Sequence, residues 1–236
     1  PGFMISGFVA ALAGVIKVLE RTAADPTAGS TVLLASFAVL VSFALYLTGT
    51  YDSLASSFRY GFFQVVSAMT TTGFTTAPFY EWTGFLPVML IFVAFIGGCA
   101  GSTAGGMKVI RVILLYKQSI REVRRLIHPH AVFPVKVGGQ RTSDTVISAV
   151  WGFFFLYIAS FAVMTVLLTA TGLDAETAYS AVGACITNLG PALGDAGPNY
   201  AGLNDPAKVI LSIAMLLGRL EVYTLLVLLT PAFWRD

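Results

Sequence analysis

Two long runs without a charged residue, at positions 31–47 and 145–168, constrain the fold of this chain more than any other feature. A helix needs roughly 17 to 25 mainly apolar residues to cross the hydrocarbon core of a bilayer. Hydrophobic residues make up 56% of the chain and charged residues 11%, whereas a soluble domain carries about 25% charged residues. The sequence therefore predicts an all-α integral membrane protein.

Basic residues cluster in the segment 117–141, where they outnumber the single acid, Glu122. Positive charge beside a membrane span predicts a cytoplasmic loop, which we place at residues 118–144, rather than a nucleic-acid site. Attraction to anionic lipid head groups explains the same charge equally well. His128 and His130 lie in this loop without enough further ligands for a metal site, so we interpret them as solvated.

The two ends of the chain are less regular. Residues 3–19 are apolar and the run 25–29 contains helix breakers, which predicts an N-terminal helix and linker over residues 1–30. The start lacks a signal-peptide pattern and a Met, which suggests a fragment or a processed segment. A last span is predicted over 207–233, with a cytoplasmic C-terminus.

Cys99 and Cys185 stand in apolar stretches and are interpreted as small buried residues rather than a disulfide.

An internal repeat organises the rest of the chain. The segments 58–71 and 174–188 are too short to cross a bilayer, and each leads into a turn centred on a glycine, Gly73 or Gly190, 117 residues apart. This pattern predicts two helix–pore-loop–helix units, 31–117 and 145–236. The second span of the first unit is broken. Because both units begin and end on the cytoplasmic side, they are related by pseudo-rotation about the membrane normal.

The segment after each short helix has the composition of an ion filter. A potassium filter needs backbone carbonyls that replace the hydration shell of the ion, and glycine permits the backbone conformations that such a turn requires. The negative C-terminal end of each short helix would point at the ion. A plain interfacial turn containing glycine is the alternative, and the second copy at equal register argues against it.

The glycine-rich run 97–106 allows three interpretations. A phosphate-binding loop does not fit, because Met107 stands between Gly106 and Lys108. Close helix packing through small residues four apart, such as Gly97 and Gly101, is the second interpretation. The third is a flexible gate within the membrane, since non-helical backbone at that depth is tolerated only where it is buried or lines a water-filled cavity.

Arg219 lies deep in the predicted last span. A charge at that depth costs several kcal/mol unless it faces water or a partner. Neutralisation by Glu221 and snorkelling toward the interface are the alternatives to a role in the pore.

Three strings carry a resemblance to a known family. Thr-Thr-Thr-Gly-Phe at 70–74, Gly-Gly-Cys-Ala-Gly-Ser-Thr-Ala-Gly-Gly-Met-Lys at 97–108 and Thr-Asn-Leu-Gly-Pro at 187–191 resemble the third and fourth repeats of TrkH-type potassium transporter subunits, within the Trk/Ktr/HKT superfamily. The resemblance covers about residues 31–236. It implies four pore units around one axis, of which this sequence holds two complete ones.

The resemblance also implies roles for individual residues. The expected filter carbonyls, which would bind the K⁺ ion, belong to Thr71, Thr72, Gly73, Phe74, Thr187, Asn188, Leu189 and Gly190. The expected gate residues are Gly97, Gly98, Gly101, Ser102, Thr103, Gly105 and Gly106. Arg219 would project into the pore below the filter and oppose cation passage.

The function implied is non-enzymatic potassium uptake across the bacterial inner membrane, with no cofactor. The expected partners are an N-terminal pore half, a second copy in a homodimer, a cytoplasmic nucleotide-binding ring of TrkA type and membrane lipid. Two alternatives remain: a secondary transporter that couples K⁺ to Na⁺ or H⁺, and a non-transporting membrane scaffold.

Overall fold

The computed structural model describes residues 26–99, 101–131, 133–220 and 227. Helices dominate these ranges, and one short pair of strands lies among them. The elements in chain order are α1 (Pro26–Leu47), α2 (Leu54–Met69), α3 (Leu86–Ile96), α4 (Val109–Ile127), β1 (Lys136–Val137), β2 (Gln140–Arg141), α5 (Asp144–Ala170), α6 (Ala175–Ile186) and α7 (Asp205–Arg219).

Two of the described helices, α1 over Gly29–Leu47 and α5 over Asp144–Ala170, are long and apolar enough to cross a membrane. Each contains one of the two uncharged runs. Helix α1 starts at Pro26, within the segment that the sequence predicts as a linker. Residues 26–30 are therefore helical, so the prediction of a linker there is wrong, because proline is tolerated in the first turn of a helix.

The two short helices, α2 and α6, begin at side-chain caps. The Ser53 hydroxyl accepts a hydrogen bond from the Ser56 N–H at 3.1 Å. The Asp174 carboxylate accepts the N–H groups of Glu176 and Thr177, each at 3.1 Å. Because a helix leaves its first N–H groups without helical partners, these caps fix where each short helix starts.

Helix α3 ends at Ile96 and α4 begins at Val109. Helix α4 then continues to Ile127, so the first part of the predicted loop 118–144 is helical, contrary to the sequence-based expectation. Side chains one turn apart support this extension: Gln118 donates to Glu122 at 2.6 Å and Arg125 pairs with Glu122 at 3.3 Å.

A small β-hairpin in the rest of this loop corrects the expectation of an all-α chain. Lys136 pairs with Arg141 and Val137 with Gln140 in antiparallel register. Gly138 and Gly139 connect the strands with φ of 59° and 77°, the positive values that a two-residue hairpin turn requires. The Lys117 ammonium donates to the Lys136 carbonyl at 2.6 Å and holds the hairpin against α4.

Glycines let the two short helices α2 and α6 pack closely on their neighbours α1 and α3. A Cβ atom at Gly61 of α2 would lie 2.8 Å from the Ser42 hydroxyl oxygen of α1. A Cβ atom at Gly183 of α6 would lie 3.0 Å from the Ile91 side chain of α3. Small residues at helix contacts are typical of membrane proteins, where dispersion contacts replace the hydrophobic drive between helices.

An aromatic cluster joins helix α3 to helix α5. The ring of Phe95 on α3 meets Tyr157 and Phe161 of α5 edge to face, with centroids 5.9 and 5.1 Å apart. Such pairs add about 0.5–1.5 kcal/mol to the burial of their surface. Helices α3 and α5 are therefore packed on one another.

Several sequence-based expectations fall outside the described residues. They are the N-terminal helix at 3–19, the part of the last span beyond residue 220 and Glu221 as a neighbour of Arg219.

Replacing Asp174 with Ala removes the cap of α6 and should lower the free energy of unfolding. We expect a loss near the low end of the range of about 0.5–2 kcal/mol, because the carboxylate is solvent-exposed. The bonds from Thr177 hold the pKa of Asp174 below its usual value. The stabilisation should therefore be complete above the unfolded-state pKa of about 4 and disappear as the pH falls through the lower folded-state pKa. Thermal unfolding in detergent across this pH range measures it.

Asp174→Asn is the matched control. Asn caps a helix about as well as Asp but does not titrate, so this variant should keep most of the stability and lose its pH dependence. Equal stability of the wild type and Asp174→Ala at neutral pH would contradict the assignment.

Candidate functional site

The ends of α2 and α6 have the same hydrogen-bonded structure. The Thr70 N–H donates to the Val66 carbonyl, and 117 residues later the Thr187 N–H donates to the Gly183 carbonyl. The same offset relates the next two bonds, Thr71 to Ala68 with Asn188 to Cys185, and Thr72 to Ser67 with Leu189 to Ala184. Both segments therefore leave their helices along equivalent paths.

Positive φ angles recur at matching places in these two segments. Thr71 and Asn188 have φ of 51° and 56°, and Gly73 and Gly190 have φ of 80° and 100°. A left-handed conformation is uncommon for residues other than glycine, and for β-branched Thr it is an outlier. Strain of this kind persists only where the surroundings enforce it.

The two segments meet at their glycines. A Cβ atom at Gly73 would overlap the carbonyl oxygen of Leu189 and lie 3.4 Å from the Pro191 ring. At Gly190, a Cβ atom would find open space, so φ alone favours glycine there. The structure therefore brings the two sets of predicted filter residues together, main chain against main chain.

Side chains of α2 and α6 form hydrogen bonds with the later residues of both segments. After α2, the Ser67 hydroxyl donates to the Phe74 carbonyl at 2.7 Å and Gln64 donates to the Ala77 carbonyl at 2.9 Å. After α6, the Leu193 N–H donates to the Ser180 hydroxyl at 3.0 Å. The Phe74 side chain itself is 71% exposed.

The run 97–106 lies directly against the two segments. The Gly105 N–H donates to the Thr71 hydroxyl at 2.8 Å. A Cβ atom at Gly105 would overlap the Thr187 carbonyl, whereas a Cβ atom at Gly101 would meet nothing within 4 Å. Gly105 is thus the close contact of this loop, and Gly101 lies in open space.

The loop folds back on the end of α3. The Met107 N–H donates to the Phe95 carbonyl at 2.9 Å, and the Val109 N–H donates to the Gly98 carbonyl at 3.1 Å. Gly97 and Gly106 have φ of 71° and 74°. A Cβ atom at Gly97 would overlap the Gly105 carbonyl, so the loop closes on itself through glycine backbone. Of the other predicted gate residues, Gly98 and Ser102 lie inside this turn.

Arg219 also contacts the loop. Its guanidinium donates to the Thr103 carbonyl at 2.7 Å. The preceding Gly218 lies so close to the Ile186 carbonyl that a Cβ atom would overlap it, and Asn188 donates to the Met215 carbonyl at 3.3 Å. Helix α7, the end of α6 and the loop therefore converge at one place.

An open cavity of about 500 Å³ lies on the other side of the segments. Its walls include Thr75, Tyr80, Pro191 and Tyr200. The Tyr200 hydroxyl donates to the Gly190 carbonyl at 2.5 Å.

Within the described ranges, no cluster of three or more His, Cys, Asp or Glu side chains could hold a metal ion. Cys99 and Cys185 are free thiols; Cys185 is buried and Cys99 partly so. His128 and His130 are exposed.

Sequence reasoning missed the residues that support the two segments from behind: Ser67, Gln64, Ser180 and Tyr200. Each lies within a helix or loop whose local sequence does not indicate its hydrogen-bond partner. The long polar side chain of Gln64 between Phe63 and Val65 was the available signal, because a buried polar group requires a hydrogen-bond partner.

Comparison with known proteins identifies the family. The family model TrkH, described as a cation transport protein, matches residues 30–235. The Trk system potassium uptake protein TrkH of Halomonas elongata is 53% identical over 212 residues, which cover 89% of this chain and 44% of that protein. The TrkH protein of Escherichia coli K12 is 49% identical over 198 residues, covering 84% of this chain and 41% of that protein.

A solved structure shows the same fold. The crystal structure of the potassium transporter TrkH from Vibrio parahaemolyticus superposes with a TM-score of 0.83 at 43% identity, covering 95% of this chain and 53% of that one. The chain spans less than half the length of the curated relatives described above. It has a mainly helical membrane-transporter fold and belongs to the TrkH family of cation transport proteins.

Proposed function

We propose that this chain supplies half of a pore for potassium uptake and that its filter consists of the segments following α2 and α6. The observation that carries the proposal is the approach of Gly73 to the Leu189 carbonyl, which puts two matching stretches of main chain side by side. Carbonyl oxygens so arranged replace the hydration shell of a monovalent cation. Relatives at about half sequence identity are named for potassium uptake.

The electrostatics of the short helices fit this role. The C-terminal end of a helix carries a partial negative charge, and both α2 and α6 end where the filter segments begin. The proposed ligands are the carbonyls of residues 71–74 and 187–190. Two of these oxygens, those of Phe74 and Gly190, also accept a hydrogen bond from the protein.

Two further pore units complete the proposed filter, because two segments surround only half of an axis. The matching hydrogen bonds and φ angles 117 residues apart support two units related by rotation about the membrane normal. Large apolar side chains on α2 and α7 are open to such partners. They include Phe58, Phe62, Val209 and Ile213, each at least 41% exposed.

The distribution of charge supports an orientation in the bacterial inner membrane. Helix α5 has 27 residues, a length of about 40 Å. Arg121 pairs with Asp144 at 2.8 Å at its first turn, whereas Asp174 and Glu176 follow its other end. The positive-inside rule assigns the basic end to the cytoplasm. A second copy and a nucleotide-binding ring of TrkA type are proposed as partners on that side.

The loop 97–106 is proposed as a gate. It lies across the inner ends of both filter segments through Gly105, and its glycine backbone has few side chains to restrain it. The hydrogen bond from Gly105 to the Thr71 hydroxyl and that from Arg219 to the Thr103 carbonyl would hold it closed. Its release would open the path from the filter to the cytoplasm.

Replacing Gly73 with Ala in the complete transporter should reduce potassium over sodium selectivity at least about tenfold or abolish flux, because the new methyl group collides with the Leu189 carbonyl and displaces filter oxygens. Rubidium uptake into liposomes and the reversal potential in mixed K⁺ and Na⁺ measure both effects.

Gly84→Ala is the matched control for this experiment. Gly84 has a similar φ of 75° but open space around its Cα, so the backbone strain is shared and the collision is absent. Near-wild-type selectivity in Gly73→Ala would refute the filter assignment.

Replacing Gly105 with Ala should raise basal rubidium flux severalfold, because the methyl group cannot fit against the Thr187 carbonyl and the loop must move away. Gly101→Ala, in the same loop but in open space, should leave flux near the wild-type value. Lower or unchanged flux in Gly105→Ala, with unchanged ion preference, would count against a gate.

Replacing Arg219 with Gln should increase potassium conductance, because it removes a positive charge below the filter that opposes cations. Arg219→Lys keeps the charge and should conduct like the wild type. Single-channel or macroscopic currents in planar bilayers distinguish the two variants. Equal conductance of Arg219→Gln and the wild type would exclude an electrostatic role for Arg219.

A further inference from the structure

The hydroxyl of Tyr200 is a hydrogen-bond donor to the proposed filter from outside the short helices. It lies in the loop between α6 and α7 and donates to the carbonyl of Gly190 at 2.5 Å. The buried Cys185 on α6 interacts with the same hydroxyl. One side chain thus connects an outer loop, a pore helix and a filter glycine.

The loop holds Tyr200 firmly in this place. The Asn199 side chain accepts the Ala201 N–H at 2.9 Å, and the Leu203 N–H donates to the Tyr200 carbonyl at 3.3 Å. Leu203 is buried, and Asn204 both caps α7 and donates to the Thr171 carbonyl at the end of α5. The ring therefore comes from a braced turn, which makes it a stable anchor.

The hydroxyl of Tyr200 carries its proton at neutral pH and can donate it. Burial raises the pKa of Tyr200 above its usual range, so the phenol stays protonated. The hydroxyl meets the proposed filter at the Gly190 carbonyl, and Tyr200 is not itself one of the predicted filter residues. A carbonyl that accepts this bond has one lone pair directed toward the wall of the pore, and its freedom to rotate is limited.

The two units differ in this respect. In the first unit, no side chain among the described residues donates to the Gly73 carbonyl, and the position 117 residues before Tyr200 is Thr83. The support there comes from Ser67, which binds the next carbonyl, that of Phe74, at 2.7 Å. The Gly190 carbonyl therefore depends on a residue that has no counterpart in the other unit.

We propose that Tyr200 is a positioning residue for ion selectivity, which acts by fixing the orientation of the Gly190 carbonyl. The inference rests on the proposed filter. Without the hydroxyl, this oxygen is free to turn and the filter can contract around the smaller sodium ion. Selectivity for K⁺ over Na⁺ depends on the number and spacing of such oxygens.

The test is the reversal potential of the complete transporter in planar bilayers with K⁺ on one side and Na⁺ on the other. Tyr200→Phe removes only the hydroxyl and should lower the potassium over sodium permeability ratio by about threefold to tenfold, the effect of one ordinary hydrogen bond. The ratio does not depend on how many molecules are inserted, so reduced stability alone would not change it.

Tyr80→Phe is the matched control. Tyr80 lines the same cavity, and among the described residues its hydroxyl makes no hydrogen bond. Its ratio should equal that of the wild type. A ratio for Tyr200→Phe within about twofold of the wild type, below the effect of one hydrogen bond, or an equal fall in Tyr80→Phe, would overturn the proposal.

A second variant covers the case in which Tyr200→Phe fails to assemble. 3-Fluorotyrosine at position 200 has nearly the same size and a more acidic hydroxyl, which is a stronger donor, and should raise the permeability ratio. An unchanged or lower ratio would overturn the proposal. A wild-type protein without potassium-selective current would instead refute the proposed function, so the two failures are distinguishable.

Discussion

Direct contact between two stretches of main chain is the constraint on which the rest of the structure depends. Gly73 approaches the Leu189 carbonyl with no side chain between them. Backbone at membrane depth must have its polar groups satisfied or exposed to a water-filled cavity. The position of each segment is therefore set by the helix before it, and small errors in the packing of α2 or α6 would separate the oxygens or make them collide.

In this chain, glycine allows neighbouring segments to approach each other closely more than it provides flexibility. Gly61 and Gly183 bring the short helices against α1 and α3, while Gly105 and Gly218 press on the carbonyls of Thr187 and Ile186. The end of α6 is thus enclosed by backbone on two sides. Such contacts gain dispersion energy at short range, and any side chain would remove them, so the packing tolerates little variation at these positions.

The sequence predicts those parts of the fold that depend on local pattern. The uncharged runs located α1 and α5, and the glycine-centred turns located Gly73 and Gly190, whose φ is positive, because glycine adopts that conformation without strain. The positive φ of Thr71 and Asn188 was not predicted. The extent of α4 was missed, since its charged second half reads as a loop without the pairs that Glu122 makes. The adjacent Gly138 and Gly139 are typical of a two-residue hairpin turn. The roles of Ser67 and Tyr200 could not be predicted from the sequence, because their hydrogen-bond partners are set by the tertiary structure.

Helix α4 connects distant parts of the molecule as a rigid rod. It starts at Val109, where the glycine loop ends, and runs for 19 residues to Ile127 without a break, a length of about 28 Å. A stiff helix transmits tilt and rotation with little loss, and the loop before it is fixed to the end of α3 by the bond from the Met107 N–H to the Phe95 carbonyl. A force applied at its exposed end around Leu126 would therefore reach the glycine loop through an unbroken helix.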